Sequence, residues 1–135
     1  MTNPIERARA LIGVPWCHQG RNPAVGIDCA GMLILAFDVQ SPTPSYGRNP
    51  CRGLLEATMK GLLGAPLEEG AEMRPGDAVA MAYGGPIRHC GLIADDIHGG
   101  LSLIHTDSIL GRVTEHPLDD KWLRRIRRVY RRCSS

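Results

Sequence analysis

The sequence predicts an α+β protein in which helices come first and a hairpin-connected antiparallel sheet follows. Two observations predict the order. Apolar residues at helical spacing lie before residue 64, and short alternating segments between Gly-, Pro- and Asp-containing turns lie after residue 75. A third bounds the size. The 135 residues, 43% hydrophobic and 22% charged, suit one compact core, so the expected organisation is a single domain over 1–135.

Each element has its own warrant. Residues 4–12 read as a short helix, with Pro4 in the first turn, Glu6 near the positive end, and Ile5, Ala8, Leu11 and Ile12 on one face. Residues 13–27, rich in Gly and Pro, read as loop. The segment 29–39 is apolar almost all round. Its length, its Ala, Leu and Met content, and Asp28 in the capping position make it a buried helix rather than a strand. Residues 40–50 read as loop, and 52–63 as a second amphipathic helix ending at Gly64.

Arg74-Pro75-Gly76-Asp77 is a turn leading into a strand over 78–83. Alternation there puts Ala78, Ala80 and Ala82 on one face, so a helix can approach that face closely. Strands are expected at 89–94 and 101–106 around a turn at 95–100. A fourth is expected at 112–115 and a fifth at 125–131, after a turn or short helix at 118–123.

Several classes are excluded. No apolar run approaches the ~20 residues of a membrane-spanning helix. The N-terminal segment lacks the basic-then-apolar pattern of a signal peptide, so delivery by some other carrier is expected. Five cysteines in irregular spacing, without a CxxC pair, form neither a disulfide framework nor a zinc ribbon. Cys17 and His18 together with Cys29 or Cys90 match no usual zinc spacing, and no metal is expected.

Charge is uneven. The net value is +2, but residues 121–135 hold seven basic groups and no acid, leaving nine basic against fourteen acidic groups before them. Such a tail serves either as a docking surface for an anionic or protein partner or as an edge strand whose charges discourage sheet-to-sheet pairing. No nucleic-acid motif accompanies it.

Chemistry centres on Cys29. A thiol at the first position of a helix feels the partial positive charge there, which favours the thiolate, while the Asp28 carboxylate opposes it. A nucleophilic thiol also needs a base, and the base an orienting group. Among five histidines, His89 and His105 fall in the two strands of one hairpin. If that hairpin pivots on Ile97 they face each other directly; a turn centred half a residue away puts them on opposite faces. His98 and His116 read as surface residues, and Asp77 as a structural turn residue. Cys17, Cys51, Cys90 and Cys133 read as non-catalytic.

The stretches GVPWCHQG, GIDCAGML, RPGDAVA, RHCGLIA and LIHTDS resemble, in order, the motifs of the NlpC family of cell-wall cysteine peptidases. The HQ pair, the HCG strand and the ending VTEHPLDDKWLRRI are most similar to its phage and prophage tail-associated branch. The resemblance implies a papain-like fold, with the cysteine helix packed on an antiparallel sheet. It implies Cys29 as nucleophile, His89 as general base and His105 as the group orienting that base. It implies hydrolysis of the peptide stem of peptidoglycan through an acyl-enzyme, with no cofactor, and partners among phage tail hub or tip proteins. The implied location is the virion tail acting at the host wall.

Trp16, His18, Gln19 and Asp28 are candidates for lining the cleft, with His18 and Gln19 alternatively supporting its loop. Trp16 stands where many members carry a Tyr, and an indole donates one hydrogen bond but accepts none. The Cys29 backbone N–H remains as an oxyanion donor. The alternative to an enzyme is a tail docking module that keeps the fold with little turnover.

Overall fold

A computed structural model describes residues 3–39 and 54–132. The order of elements is α1 (Pro4–Arg9), β1 (Arg21–Asn22), β2 (Gly26–Ile27), α2 (Cys29–Phe37), α3 (Leu54–Leu63), β3 (Ala78–Ala82), β4 (Ile87–Asp95), β5 (Leu101–His105), β6 (Thr114–Pro117), α4 (Asp120–Leu123) and β7 (Ile126–Tyr130). The fold is α+β, as expected. The expected loop at 40–50 lies outside the described residues, as do Cys51 and Cys133.

Five strands form one antiparallel sheet in the order β6-β5-β4-β3-β7. The pleat sends Ala78, Ala80 and Ala82 to one face, where they join Met32, Leu33, Ala36 and Phe37 of α2 and Leu55 and Met59 of α3 in the main core. Val79, Met81, Ile93 and Leu103 form a second, smaller cluster with Trp122 packed against it. The close helix approach falls one strand away from where the alternation predicts it: α2 lies over β4, and the alanines of β3 join the same core beside it.

α2 is buried almost all round, from Cys29 to Phe37 with only Leu35 half-exposed. Both ends are secured. At the start, the Asp28 carboxylate accepts the Gly31 N–H at 2.8 Å. At the end, Arg7 donates to the Ala36 carbonyl at 2.6 Å and Arg132 to that of Phe37 at 2.5 Å, so two cations meet the negative pole. Gly31 must be glycine: a Cβ there would lie 2.2 Å from the Gly20 carbonyl oxygen, where the preceding loop crosses the helix. That crossing fixes the loop carrying Trp16 and His18 beside Cys29.

Four expectations change in detail. The first helix stops at Arg9, with 10–13 in turns. The 13–27 loop contains a two-residue hairpin, β1 with β2, too short to leave a periodic pattern. The strand expected at 112–115 runs from Thr114 to Pro117. The β4–β5 hairpin pairs Leu92 with Ile104 and Asp95 with Leu101, so it pivots on His98, not Ile97. The shift is a whole residue at the pivot and two along the ladder, which preserves the face of every side chain.

The basic C-terminal segment is largely engaged within the fold. Arg131 pairs with buried Asp77 at 2.8 Å, and Arg128 approaches Glu56 at 3.9 Å. β7 is a sheet edge, so the edge-strand reading of these charges fits the architecture. Asp77 is the structural turn residue expected, also accepting the Arg74 N–H at 2.9 Å.

Candidate active site

Cys29 opens α2, which places its sulfur at the positive helix end and leaves its N–H without an intrahelical carbonyl. The thiol pKa is pulled down to about 5. The largest cause is a side-chain hydrogen bond with Cys90; burial opposes it, and the hydrogen bond and charge of His89 add to the lowering. The Asp28 carboxylate pushes the other way, as the sequence predicts. Cys90 moves oppositely, well above an ordinary thiol, because it keeps its proton as donor to Cys29 and is buried. Cys90 is therefore part of the sulfur's environment.

His89 lies at the beginning of β4 beside a register shift in its pairing with β3. Its Nε2 is 2.8 Å from Nδ1 of His105, leaving Nδ1 of His89 for the sulfur. His105 is fully buried, and burial holds its pKa down to about 2, with the charges of His89, His116 and Arg125 acting the same way. It stays neutral at physiological pH. The structure thus brings Cys29, His89 and His105 together.

His116 belongs to the same row, contrary to its reading as a surface residue. It is half-buried, and its Nε2 lies 2.7 Å from Nε2 of His105. Trp122 of α4 covers the row, its ring centroid 4.6 Å from His105 and 5.4 Å from His116. His98 is exposed at the hairpin tip and contributes nothing here.

A groove of about 490 Å³ reaches Cys29 and His89. Trp16, His18 and Asp28 line it, but Gln19 is not among its lining residues. Gln19 instead donates its backbone N–H to Asp28 at 3.2 Å from a left-handed conformation, supporting the loop. Asp28 is also paired with Arg21 at 2.9 Å, so its charge is partly neutralised.

Sequence reasoning missed the opposite wall. Tyr83, Arg88, Lys121, Trp122 and Arg125 line the groove, with the Arg125 guanidinium 4.7 Å from the Tyr83 ring centre and 4.4 Å from that of Trp122. Burial raises the Tyr83 pKa, and the Asp107 charge adds to the effect. These residues come from separate elements and share no local motif. Only the grouping of Trp122 and Arg125 within four positions was visible as a signal.

A five-stranded antiparallel sheet carrying a buried helix headed by cysteine is a papain-like α+β fold, the fold of NlpC/P60 structures. Several solved structures share the fold, and two are similar over nearly the whole of this chain. One is an NLP/P60-family protein from Staphylococcus aureus subsp. aureus Mu50, described as similar to lipoprotein. It aligns at TM-score 0.64 and 15% identity, over 98% of this chain and 41% of that one. The other is the NlpC/p60 domain of the peptidoglycan hydrolase SagA, at TM-score 0.61 and 18% identity, over 94% of each chain. This chain therefore spans well under half of the staphylococcal protein. No family model matches the sequence, and no curated protein is significantly similar to it.

Proposed function

We propose that this protein is a cysteine peptidase that hydrolyses the peptide stem of bacterial peptidoglycan, with Cys29 as nucleophile, His89 as general base and acid, and His105 orienting His89. The observation carrying the reading is geometric: Cys29 at a helix start and His89 line one groove, and Nε2 of His89 meets Nδ1 of His105 at 2.8 Å. The lowering of the thiol pKa by His89 agrees with it. The Cys29 thiol passes its proton to Nδ1 of His89, the resulting thiolate adds to the scissile carbonyl, and the oxygen takes up negative charge near the Cys29 N–H. His89 gives its proton to the leaving amine as the C–N bond breaks, leaving a thioester. Water, deprotonated by His89, then attacks the thioester, and the thiol recovers the proton as the acid departs.

The groove supports the substrate class. Arg88, Lys121 and Arg125 present positive charge beside the sulfur, which suits the free carboxylates of D-glutamate and diaminopimelate in stem peptides. An open groove reaching Cys29 favours turnover over a docking module with a plugged cleft. Delivery as a phage or prophage tail component rests on the sequence motifs alone.

Digestion of purified muropeptides tests the activity. Wild type releases new amino termini and Cys29→Ala releases none; equal release by both would remove the cysteine mechanism. For delivery, charge reversal at Arg124 and Arg127 is expected to weaken incorporation into tail particles, and undiminished incorporation counts against docking through this segment.

A further inference from the structure

Each ring in the histidine row has a partner whose role can be assigned. Nδ1 of His116 lies 2.9 Å from the Pro117 carbonyl oxygen, which only accepts. Nδ1 must therefore carry a proton. A neutral His116 then has a bare Nε2, so Nε2 of His105 donates to it across 2.7 Å. Neutral His105 has no second proton, so its Nδ1 accepts from Nε2 of His89 across 2.8 Å. The last ring follows. With its proton on Nε2, neutral His89 keeps Nδ1 bare on the side of Cys29.

Geometry explains how the row reaches so far. In the β5–β6 ladder His105 pairs with Thr114 and His116 with Leu103, so the two histidines meet on a diagonal. Carrying the β4–β5 register one step further puts His105 opposite Gly91, so His89 and His105 are diagonal as well. Three imidazoles thus slant across three adjacent strands on one face. The row ends at a main-chain oxygen that no titration can alter.

We infer that His116 is a fourth, positioning member of the site, which through its bond to Pro117 sets the tautomers of His105 and His89 so that Nδ1 of His89 faces Cys29 as an acceptor. The inference rests on the proposed peptidase reading for its catalytic consequence, but not for the tautomers themselves. A partner at His105 Nε2 that only donates would reverse both links and place a proton on the wrong nitrogen of His89.

The test is nitrogen-15 NMR of the imidazoles in the full chain, with the rate of Cys29 alkylation by iodoacetamide measured alongside. Wild type should show His105 and His89 protonated on Nε2. His116→Gln, which keeps an accepting oxygen, should retain that pattern and the wild-type alkylation rate. His116→Leu should lose the tautomer bias and slow alkylation roughly tenfold, the lower end of the loss seen when the outer partner of a metal-bound histidine is removed. His116→Lys, with donors only, should move the His105 proton to Nδ1. A wild-type His105 protonated on Nδ1, or one pattern common to all variants, overturns the inference. Ordered tautomers beside an inert Cys29 would support the relay and sink the peptidase reading alone.

Discussion

His105 stands across the sheet from Gly91, and this pairing makes the contact between His105 and His89 possible. A Cβ on Gly91 would lie 3.1 Å from the His105 Cβ, 3.0 Å from the Ile104 carbonyl oxygen and 2.8 Å from Leu103 Cδ1. The bare position lets β5 lie flat against β4 while the His105 ring leans diagonally to His89.

Gly91→Ala should therefore injure the site more than the fold. Overpacking a tight strand pair costs about 1–3 kcal/mol. A displacement of His105 approaching 1 Å would lower muropeptide turnover by about 10²-fold. Denaturant unfolding and turnover, measured on the same preparation, check both; unchanged turnover would show that His105 tolerates the shift.

The acidity of Cys29 is open to direct titration. With a pKa of about 5, the thiolate forms as pH rises through that value, so alkylation should climb there and level off. An ordinary thiol would keep gaining towards the reference value of 9.0. Because Cys90 is the largest cause, Cys90→Ala should move the inflection upward and slow alkylation at mildly acidic pH.

Asp28 has two separable roles. Asp28→Asn keeps an oxygen for the Gly31 N–H but removes the charge that opposes the thiolate, so Cys29 should titrate still lower. Asp28→Ala also loses the cap, costing about 1 kcal/mol of stability. Thermal unfolding and pH-dependent alkylation separate the two variants.

His105 should leave a signature in stability against pH. Its folded pKa of about 2 lies below the reference 6.5, so between these values the unfolded chain holds a proton that the folded one lacks. Stability should fall as pH drops from about 6.5 towards 2, by about 1.4 kcal/mol per pH unit from this group. His105→Asn should show a shallower slope in that window by one proton. An identical slope would mean that the ring is charged in the folded state.

Local pattern made much of this molecule legible. Asp28 capping an apolar run, the alternating alanines at 78–82 and the turn residues around 75 and 95–100 act through neighbours along the chain, so composition and period reveal them. The placing of Cys29 at a helix start and of two histidines in one hairpin followed from the same signals. Register did not. Whether His89 faces His105 or Gly91 faces it depends on where the turn centres, which Asp95-Asp96-Ile97-His98-Gly99-Gly100 leaves undetermined. The pivot at His98 kept both rings on one face because it lies a whole residue from Ile97.

The sequence by itself determined the order of elements, the helix that presents a cysteine, and the strand faces, because each arises from contacts within a few residues. Tertiary structure decided the rest. His116, Trp122, Tyr83 and Arg125 carry no shared motif, and they meet only when β6, α4, the bend after β3 and the segment before β7 are brought together. Hydrogen bonds between imidazoles need rings within about 3 Å. That condition is set by strand pairing and by the packing of Trp122 over the row, neither of which is written in any single stretch of chain.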